Sequence, residues 1–160
     1  MTRPAVLFVC LGNICRSPMA EGILRHHAEE QGWSITVDSA GTGGWHVGEA
    51  PDKRAIRAAK QYGVDISQLR ARQFSADDFD RFDRIFVMDR SNRSNVLALA
   101  RNEEDRLKVD LFLHQLQPMS DAEVPDPWYG DEDGFHSVYD LLERASLAFI
   151  RKARSGTEAL

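Results

Sequence analysis

A thiol and a guanidinium are placed six residues apart near the start of the chain, at Cys10 and Arg16. The apolar run 5–9 before the thiol is typical of a buried strand, and the pair Ser17-Pro18 after the arginine is typical of a helix start. This order places a nucleophile, a bidentate cation and a helix N-terminus around one point. Such a point suits a phosphate-like oxyanion with sulfur beneath it.

The residues between the thiol and the arginine suit a tight loop. Gly12 reaches backbone conformations closed to other residues, and Asn13 tolerates left-handed geometry while its amide can hold the loop. Ser17 has two roles open to it, as N-cap of the following helix or as a hydroxyl donor to the thiolate. We predict a phosphate-binding loop after the first strand, made of Leu11, Gly12, Asn13, Ile14, Cys15, Arg16 and Ser17.

Apolar segments and amphipathic patterns alternate along the chain and must position this loop. We predict strands at 5–9, 35–38, 84–88 and 107–112. We predict helices from Pro18 onward, from Pro51 to Gly63, in a short stretch opened by a capping box at 75–78, over 91–101, and over about 135–154. This alternation predicts an α/β fold, a four-stranded parallel sheet with helices on both faces. The strand ends at 38–39 and 88–89 should then meet the loop at one rim of the sheet.

Composition and charge limit the classes of function. The 160 residues are 42% hydrophobic and 28% charged, typical of a globular protein, and we expect one domain over residues 1–160. A net charge of −5 argues against a non-specific nucleic-acid binder. The longest clean apolar run, 5–10, is too short for a membrane span or a signal-peptide core, so we expect no membrane association. Two cysteines make no disulfide framework and favour the cytoplasm.

Residues 9–21, Val-Cys-Leu-Gly-Asn-Ile-Cys-Arg-Ser-Pro-Met-Ala-Glu, resemble the signature of the low-molecular-weight protein tyrosine phosphatases. The resemblance extends over nearly the whole chain and includes the segments 38–42, 71–74, 87–92 and 124–130. It implies a protein tyrosine phosphatase that hydrolyses phosphotyrosine, an aryl phosphate monoester, through a covalent phosphocysteine. It implies no metal and no cofactor. We expect a tyrosine-phosphorylated protein as the substrate and a monomer or weak dimer.

The resemblance also assigns roles to residues of this chain. It implies Cys10 as the nucleophile, Arg16 as the phosphate ligand and Asp126 as the general acid. It further implies that Asn13, Ser17 and Ser39 hold the loop and the thiolate. Family members commonly carry a histidine two residues before the Ala-Arg-Gln element, whereas this chain has Leu69 there. The support of Asn13 by that histidine is therefore lost, and another group must replace it.

The chemistry independently requires an acid, because an aryl oxygen leaves far better when it is protonated. Asp126 precedes Pro127, which favours an extended conformation in a loop. By itself it is one of several acidic residues in the solvated stretch 121–133, and the matched Asp-Pro-Trp-Tyr segment singles it out. The same group could then act as a base on the water that attacks the phosphocysteine.

Three aromatic residues, Trp45, Trp128 and Tyr129, fall in predicted loops. Two readings stay open from the residues alone: walls that sandwich an aryl ring, or loop anchors packed over the core. The resemblance favours the walls and with them phosphotyrosine over phosphoserine. We therefore predict a substrate wall formed by these three side chains.

The second cysteine and the histidines complete the candidate groups. The resemblance implies that Cys15 forms a reversible disulfide with Cys10 and so acts as a redox guard. Zinc binding by the two cysteines and a histidine would need a fourth ligand and unusual spacing, so we expect no metal site. The histidines have no partner pattern, and we expect solvated positions for His26, His27, His46, His114 and His136.

Three other functions match parts of this pattern. Arsenate reduction on a related scaffold needs further redox cysteines, and the chain has none beyond Cys15. Phosphoarginine hydrolysis within the family favours a threonine in the loop, whereas Leu11 and Ile14 favour an aryl substrate. A phosphate carrier would not keep Arg16 and an acid poised to release the phosphate. A phosphotyrosine-binding module would tolerate the loss of Asp126 or Cys10, and this chain has both.

Overall fold

The computed structural model describes residues 3–156 and forms the predicted parallel sheet. Its four strands lie in the order β2-β1-β3-β4, and every neighbouring pair is parallel. The strands are β1 (Ala5–Cys10), β2 (Thr36–Gly41), β3 (Arg84–Val87) and β4 (Val109–Leu111). The chain leaves β1 toward β2 on one side and returns to β3 on the other. The carboxyl end of β1 is therefore the point where the strand order reverses, which is where ligands bind in such sheets.

Within residues 3–156, six α-helices connect and cover the strands. They are α1 (Arg16–Glu30), α2 (Lys53–Gln61), α3 (Asp78–Arg81), α4 (Arg90–Leu97), α5 (Glu103–Leu107) and α6 (Glu132–Ser155). Two short 3-10 helices span Phe112–Gln115 and Pro127–Tyr129. Within the part of the chain that is described, no helix combines the length and apolar character needed to cross a membrane.

The central strand β1 separates two hydrophobic clusters, one on each face of the sheet. Val6 and Phe8 point into the larger cluster, which α1, α2 and α6 cover, while Leu7 and Val9 point into the smaller one. All four side chains are fully buried, because a strand covered on both faces has no solvent side. The prediction of helices on both faces is confirmed.

Several predicted helix boundaries were wrong by a few residues, and a side-chain cap explains the start of α2. α1 begins at Arg16, two residues before Pro18, and α2 begins after Pro51 because Asp52 caps it by accepting a hydrogen bond from the Arg54 N–H group. The helix predicted over 91–101 ends at Leu97.

The sequence pattern did not predict α5, the helix that follows α4. Asn102 accepts a hydrogen bond from the Asp105 N–H group and starts α5, which takes the first residue of the strand predicted at 107–112. The final helix starts earlier than predicted. Asp131, two residues after the 3-10 helix ends at Tyr129, caps it by accepting a hydrogen bond from the Gly134 N–H group. Its other end is closed by Gly156 in the left-handed region, at φ 82°.

Candidate active site

The predicted loop connects the last residue of β1 directly to the first turn of α1. Cys10 ends the strand and Arg16 begins the helix, so the segment between them must turn within five residues. Asn13 makes this turn with a φ of 57°, a left-handed conformation that asparagine tolerates better than most residues. Cys10, Asn13, Arg16 and Ser17 are all buried, so the loop has its chemistry-bearing groups on the inside.

The Cys10 sulfur lies 3.0 Å from the Ser17 hydroxyl oxygen. That oxygen already accepts a hydrogen bond of 2.8 Å from the Asn13 amide, so its own proton is free to point at the sulfur. The Ala40 carbonyl is a competing acceptor, but at a longer 3.4 Å. Ser17 makes no N-cap bond, because the N-cap position of α1 is Cys15. Of the two roles that the sequence left open for Ser17, the geometry supports the donor to sulfur.

Asn13 is held on both sides of its amide without a histidine at position 69. Its oxygen accepts the Arg72 backbone N–H at 3.0 Å, and its nitrogen donates to Ser17 and, at 2.9 Å, to Ser39. Leu69 is half-buried and packs against the core. A backbone donor, which no side-chain pattern predicts, therefore supports the loop.

The segment that supplies this backbone donor is itself anchored by buried charge. The Arg72 guanidinium donates to Asp38 at 3.0 Å and to both oxygens of Asp78 at 3.0 and 3.1 Å. The Asp78 side chain is fully buried and also accepts the Ser75 N–H and an Arg81 N–H. Burial alone would raise the pKa of Asp78, but the hydrogen bonds from Arg72 and Arg81 outweigh it and lower that pKa.

Ser39 connects the loop to a second buried carboxyl group. Its hydroxyl donates to Glu21 at 2.7 Å, and Glu21 also accepts a hydrogen bond from Arg25 at 2.6 Å. Burial raises the pKa of Glu21 although Ser39 and Arg25 oppose the shift. Glu21 lies in the signature segment, but its type and position gave no role from the sequence alone.

Arg16 connects the loop to the two other chain segments at the rim. Its Nη1 atom donates to Asp89 at 2.7 Å and to the Val124 carbonyl at 3.0 Å, and its Nη2 atom lies 3.6 Å from Asp126. The Arg16 side chain is only 3% exposed. Burial alone would lower its pKa, but Cys10 and Asp89 raise it, so the group stays charged. Asp89 follows β3 and caps α4, at the rim of the sheet where it was predicted, although its pairing with Arg16 was not predicted.

Asp126 starts the 3-10 helix Pro127–Tyr129 and faces the same cleft. One of its carboxyl oxygens accepts the Trp128 N–H at 3.0 Å, while the other is the one near Arg16. The side chain is 30% exposed, in contrast to the buried loop below it. The carboxyl group is thus oriented by its own backbone turn and by one cation.

A cleft of about 170 Å³ opens above the sulfur. It brings together nearly all the predicted binding and wall residues, namely Cys10, Leu11, Gly12, Ile14, Cys15, Arg16, Trp45, Asp126, Trp128 and Tyr129. Asn13, Ser17 and Ser39 lie behind the loop, where they make the contacts described above. Trp45 is 71% exposed and Tyr129 is 87% exposed, so these rings are cleft walls and not anchors over the core.

His46 also lines the cleft, which corrects the expectation of a merely solvated position. Its ring centroid lies 6.1 Å from that of Trp128, and its Nδ1 atom is 3.0 Å from Glu49. A Cβ atom at Gly12 would lie 3.1 Å from the His46 ring, so the absence of a side chain at Gly12 gives the ring its place. Among residues 3–156, no group of three or more metal-ligating side chains is arranged to hold an ion.

The second cysteine is buried at the N-terminus of α1, beside the start of α2. Both cysteines are free thiols. Burial raises the pKa of Cys15 strongly, and the nearby Asp52 carboxylate raises it further. Cys15 is therefore a neutral thiol at physiological pH, in the same cleft as Cys10.

The chain is similar over nearly its whole length to known proteins. The family model described as low molecular weight phosphotyrosine protein phosphatase matches residues 5–158. The protein of that name from Schizosaccharomyces pombe is 45% identical over 149 residues, which cover 91% of this chain and 94% of the relative. The human protein of that name is 39% identical over 152 residues, which cover 93% and 95% of the two chains. A crystal structure of a protein tyrosine phosphatase from Entamoeba histolytica, with Hepes in the active site, matches with a TM-score of 0.90 at 36% identity, and covers 97% of this chain and 99% of that chain.

Proposed function

The chain belongs to the low molecular weight phosphotyrosine protein phosphatase family and is a protein tyrosine phosphatase, and we propose that Cys10, Arg16 and Asp126 carry out its reaction. The observation that carries this assignment is the position of Arg16. This buried cation lines one cleft with the Cys10 sulfur and lies 3.6 Å from the Asp126 carboxyl group. A phosphate bound to Arg16 is therefore next to both a nucleophile and an acid.

In the first step, the Cys10 thiolate attacks phosphorus and forms an S–P bond while the bond from phosphorus to the aryl oxygen breaks. Asp126 gives its proton to the departing phenolate, which leaves as the phenol. Arg16 and the loop N–H groups bind the equatorial phosphoryl oxygens. The Ser17 hydroxyl, 3.0 Å from the sulfur, stabilises the thiolate before the attack.

In the second step, water attacks the phosphorus of the phosphocysteine and the S–P bond breaks. The Asp126 carboxylate, left unprotonated by the first step, takes a proton from that water. The products are inorganic phosphate and the Cys10 thiolate, so the enzyme returns to its starting state. No redox change and no external co-reactant other than water is needed.

We propose that the exposed rings of Trp45, Trp128 and Tyr129 select an aryl phosphate. The same cleft is lined by Cys10 and by these three rings, so a phenyl ester with its phosphorus over the sulfur would have its ring beside these walls. A phosphoserine side chain is shorter and has no ring to stack, so it gains none of this contact. The physiological substrate is accordingly a tyrosine-phosphorylated protein.

One assay tests this proposal directly. Purified protein is given matched peptides that carry phosphotyrosine, phosphoserine or phosphoarginine, and released phosphate is measured with the Cys10→Ser variant as control. We expect release from the phosphotyrosine peptide and none from the control. Preferred release from phosphoarginine would overturn the aryl specificity, and activity in the control would overturn the nucleophile. EDTA should leave the rate unchanged, since every proposed step uses only side chains and water.

We propose that Cys15 protects the nucleophile by forming a reversible disulfide with Cys10 under oxidation. Its place in the same cleft, five residues along the chain from Cys10, supports this role. We further propose that the enzyme is cytoplasmic, because its nucleophile must stay reduced to act. We also propose that it works as a monomer or weak dimer. Peroxide should inactivate the wild type reversibly, whereas it should inactivate Cys15→Ser without recovery on adding a thiol.

A further inference from the structure

Arg54 occupies a place between the two catalytic segments that the mechanism above does not use. It is the second residue of α2, and its side chain is 26% exposed. The carboxylate of Asp52 holds the guanidinium from one side, with one oxygen 3.0 Å from Nε and the other 3.0 Å from Nη2. Such a two-point ion pair fixes the plane of the guanidinium.

The other side of the same guanidinium contacts the turn that carries the candidate acid. Nη1 donates to the Gly130 carbonyl at 3.2 Å, and Nη2 donates to the Trp128 carbonyl at 3.3 Å. The guanidinium carbon lies 5.5 Å from the Trp128 ring centroid and 4.6 Å from that of Phe135, at the start of α6. Arg54 therefore binds both the backbone and a ring of the segment that follows Asp126.

Asp52, which holds Arg54, is in turn hydrogen-bonded to the phosphate loop (residues 10–17). The Asp52 N–H donates to the Ile14 carbonyl at 2.8 Å, inside the loop between Cys10 and Arg16. The contacts thus run from Ile14 through Asp52 and Arg54 to Trp128. They connect the loop that holds the phosphate to the turn that holds the acid, independently of Arg16.

We propose that Arg54 is a positioning residue that sets the Asp126 carboxyl group at working distance from the bound phosphate. The proposal rests on the general-acid role of Asp126. The acid turn (residues 124–130) is short and most of its residues are exposed, so without Arg54 the backbone that follows Asp126 loses two donors and a stacked cation. A displacement of about 1 Å is enough to disturb proton transfer, because the acid must reach the leaving oxygen within hydrogen-bond distance.

The first test compares good and poor leaving groups. In Arg54→Met, kcat/KM for phenyl phosphate should fall about 10-fold, a fraction of the ~10²–10⁴-fold that general acid catalysis contributes. For an aryl phosphate with a strongly electron-withdrawing ring, the fall should be about 2-fold or less, because that phenolate leaves without a proton. Inhibition by inorganic phosphate should be unchanged. Arg54→Lys should give an intermediate loss, since it keeps the charge but not the two-sided hydrogen bonding.

Arg57 provides a matched control on the same helix. Its guanidinium pairs with Glu132 at the start of α6, but both side chains are more than half exposed. Arg57→Met removes an equal charge a turn away and should change kcat/KM by less than about 2-fold for either ester, as exposed ion pairs contribute little. A loss in Arg57→Met as large as that in Arg54→Met would overturn the proposal in favour of a general charge effect.

The double variant Asp126→Ala, Arg54→Met shows whether Arg54 acts through the acid. If it does, the second substitution adds no further loss for phenyl phosphate to that of Asp126→Ala alone. Full additivity, or equal losses of Arg54→Met for both esters, would overturn the positioning role while leaving Asp126 as the acid. If Asp126→Ala itself slows both esters equally, the acid assignment fails and the role of Arg54 fails with it.

Discussion

The phosphate loop (residues 10–17) and the acid turn (residues 124–130) face each other across one cleft but are built in opposite ways. Most of the loop is buried, and the side chains of Asn13, Arg16 and Ser17 are all held by hydrogen bonds to the protein. The acid turn buries Val124 and Pro127 but exposes the side chains that face the cleft, with Asp126 at 30% and Tyr129 at 87%.

The difference matches the role that the proposed mechanism gives to each segment. Binding a phosphate dianion requires donors fixed before the ligand arrives, because reorganising them would cost binding energy. Transferring a proton and admitting water require a group that solvent can reach. A rigid loop and an accessible turn therefore serve the same reaction, and substitutions should affect the two segments differently.

The largest effect should come from the bottom of the rigid loop. Cys10→Ser should reduce turnover of an aryl phosphate by roughly 10⁴- to 10⁶-fold, as loss of a covalent nucleophile does in other enzymes. Binding of inorganic phosphate, measured by calorimetry, should persist because Arg16 and the loop amides are unchanged. Lost phosphate binding would mean that the sulfur shapes the loop as well as attacking.

The next largest effect should come from the acid turn. Asp126→Ala should lower kcat/KM for phenyl phosphate by ~10²–10⁴-fold and for an activated aryl ester far less. The melting temperature should change little, since the carboxyl group is exposed and bonded mainly within its own turn. Equal loss for the two esters would contradict the acid role.

Substitution of Asn13 should affect activity and stability together, as expected for a buried support. Asn13→Gly loses the three side-chain hydrogen bonds but permits the φ of 57°, whereas Asn13→Ala also introduces backbone strain. Both should lower kcat/KM by about 10-fold or more, since the loop donors lose their fixed geometry. Asn13→Ala should be less stable than Asn13→Gly by about 1 kcal/mol in urea unfolding. Equal stabilities would show that the left-handed turn relaxes in the variant.

Removal of a cleft wall should affect aryl substrates only. Trp128→Ala and Trp45→Ala should each lower kcat/KM for phenyl phosphate by about 3- to 10-fold, the value of one aromatic contact. The exposed Leu107 lies outside the cleft, so Leu107→Ala is a control that should leave the rate unchanged. A similar loss with a small alkyl phosphate would argue that the rings shape the turn instead of binding the substrate.

The smallest effect on catalysis should come from the charged anchor behind the loop, where pH dependence is the informative measurement. Asp78 has a pKa below its ordinary value of 3.8, so its ionised form stabilises the fold above that pH, and this stabilisation is lost as pH falls through the folded-state pKa. Asp78→Asn should therefore lower the free energy of unfolding by about 2–4 kcal/mol at pH 7, as the loss of one partner of a buried ion pair does. The difference in the free energy of unfolding between wild type and Asp78→Asn should become smaller below about pH 4. If this difference did not change with pH, it would contradict the proposal that the ionised form of Asp78 stabilises the fold.

Most of the fold could be predicted from local patterns. The four strands were found within two residues of their observed starts, because buried β-branched and aromatic runs are strong signals. The break between α4 and α5 was missed, since it depends on a single Asn102 cap inside a polar stretch. The sequence did not decide between two roles for Ser17, because a serine suits both an N-cap and a hydrogen-bond donor to sulfur. Only the path of the loop in the structure distinguishes the two roles.

The sequence by itself determined the reactive groups and their order, because thiol, guanidinium and helix start are contiguous in residues 10–18 and the loop connecting them is short. The tertiary structure decided everything that joins distant segments. It brought Asp89, Val124 and Asp126 to Arg16, replaced the support expected at Leu69 with the Arg72 backbone N–H, and put His46 into the cleft. Such contacts depend on where strand ends meet in space, and no residue pattern along the chain encodes that distance.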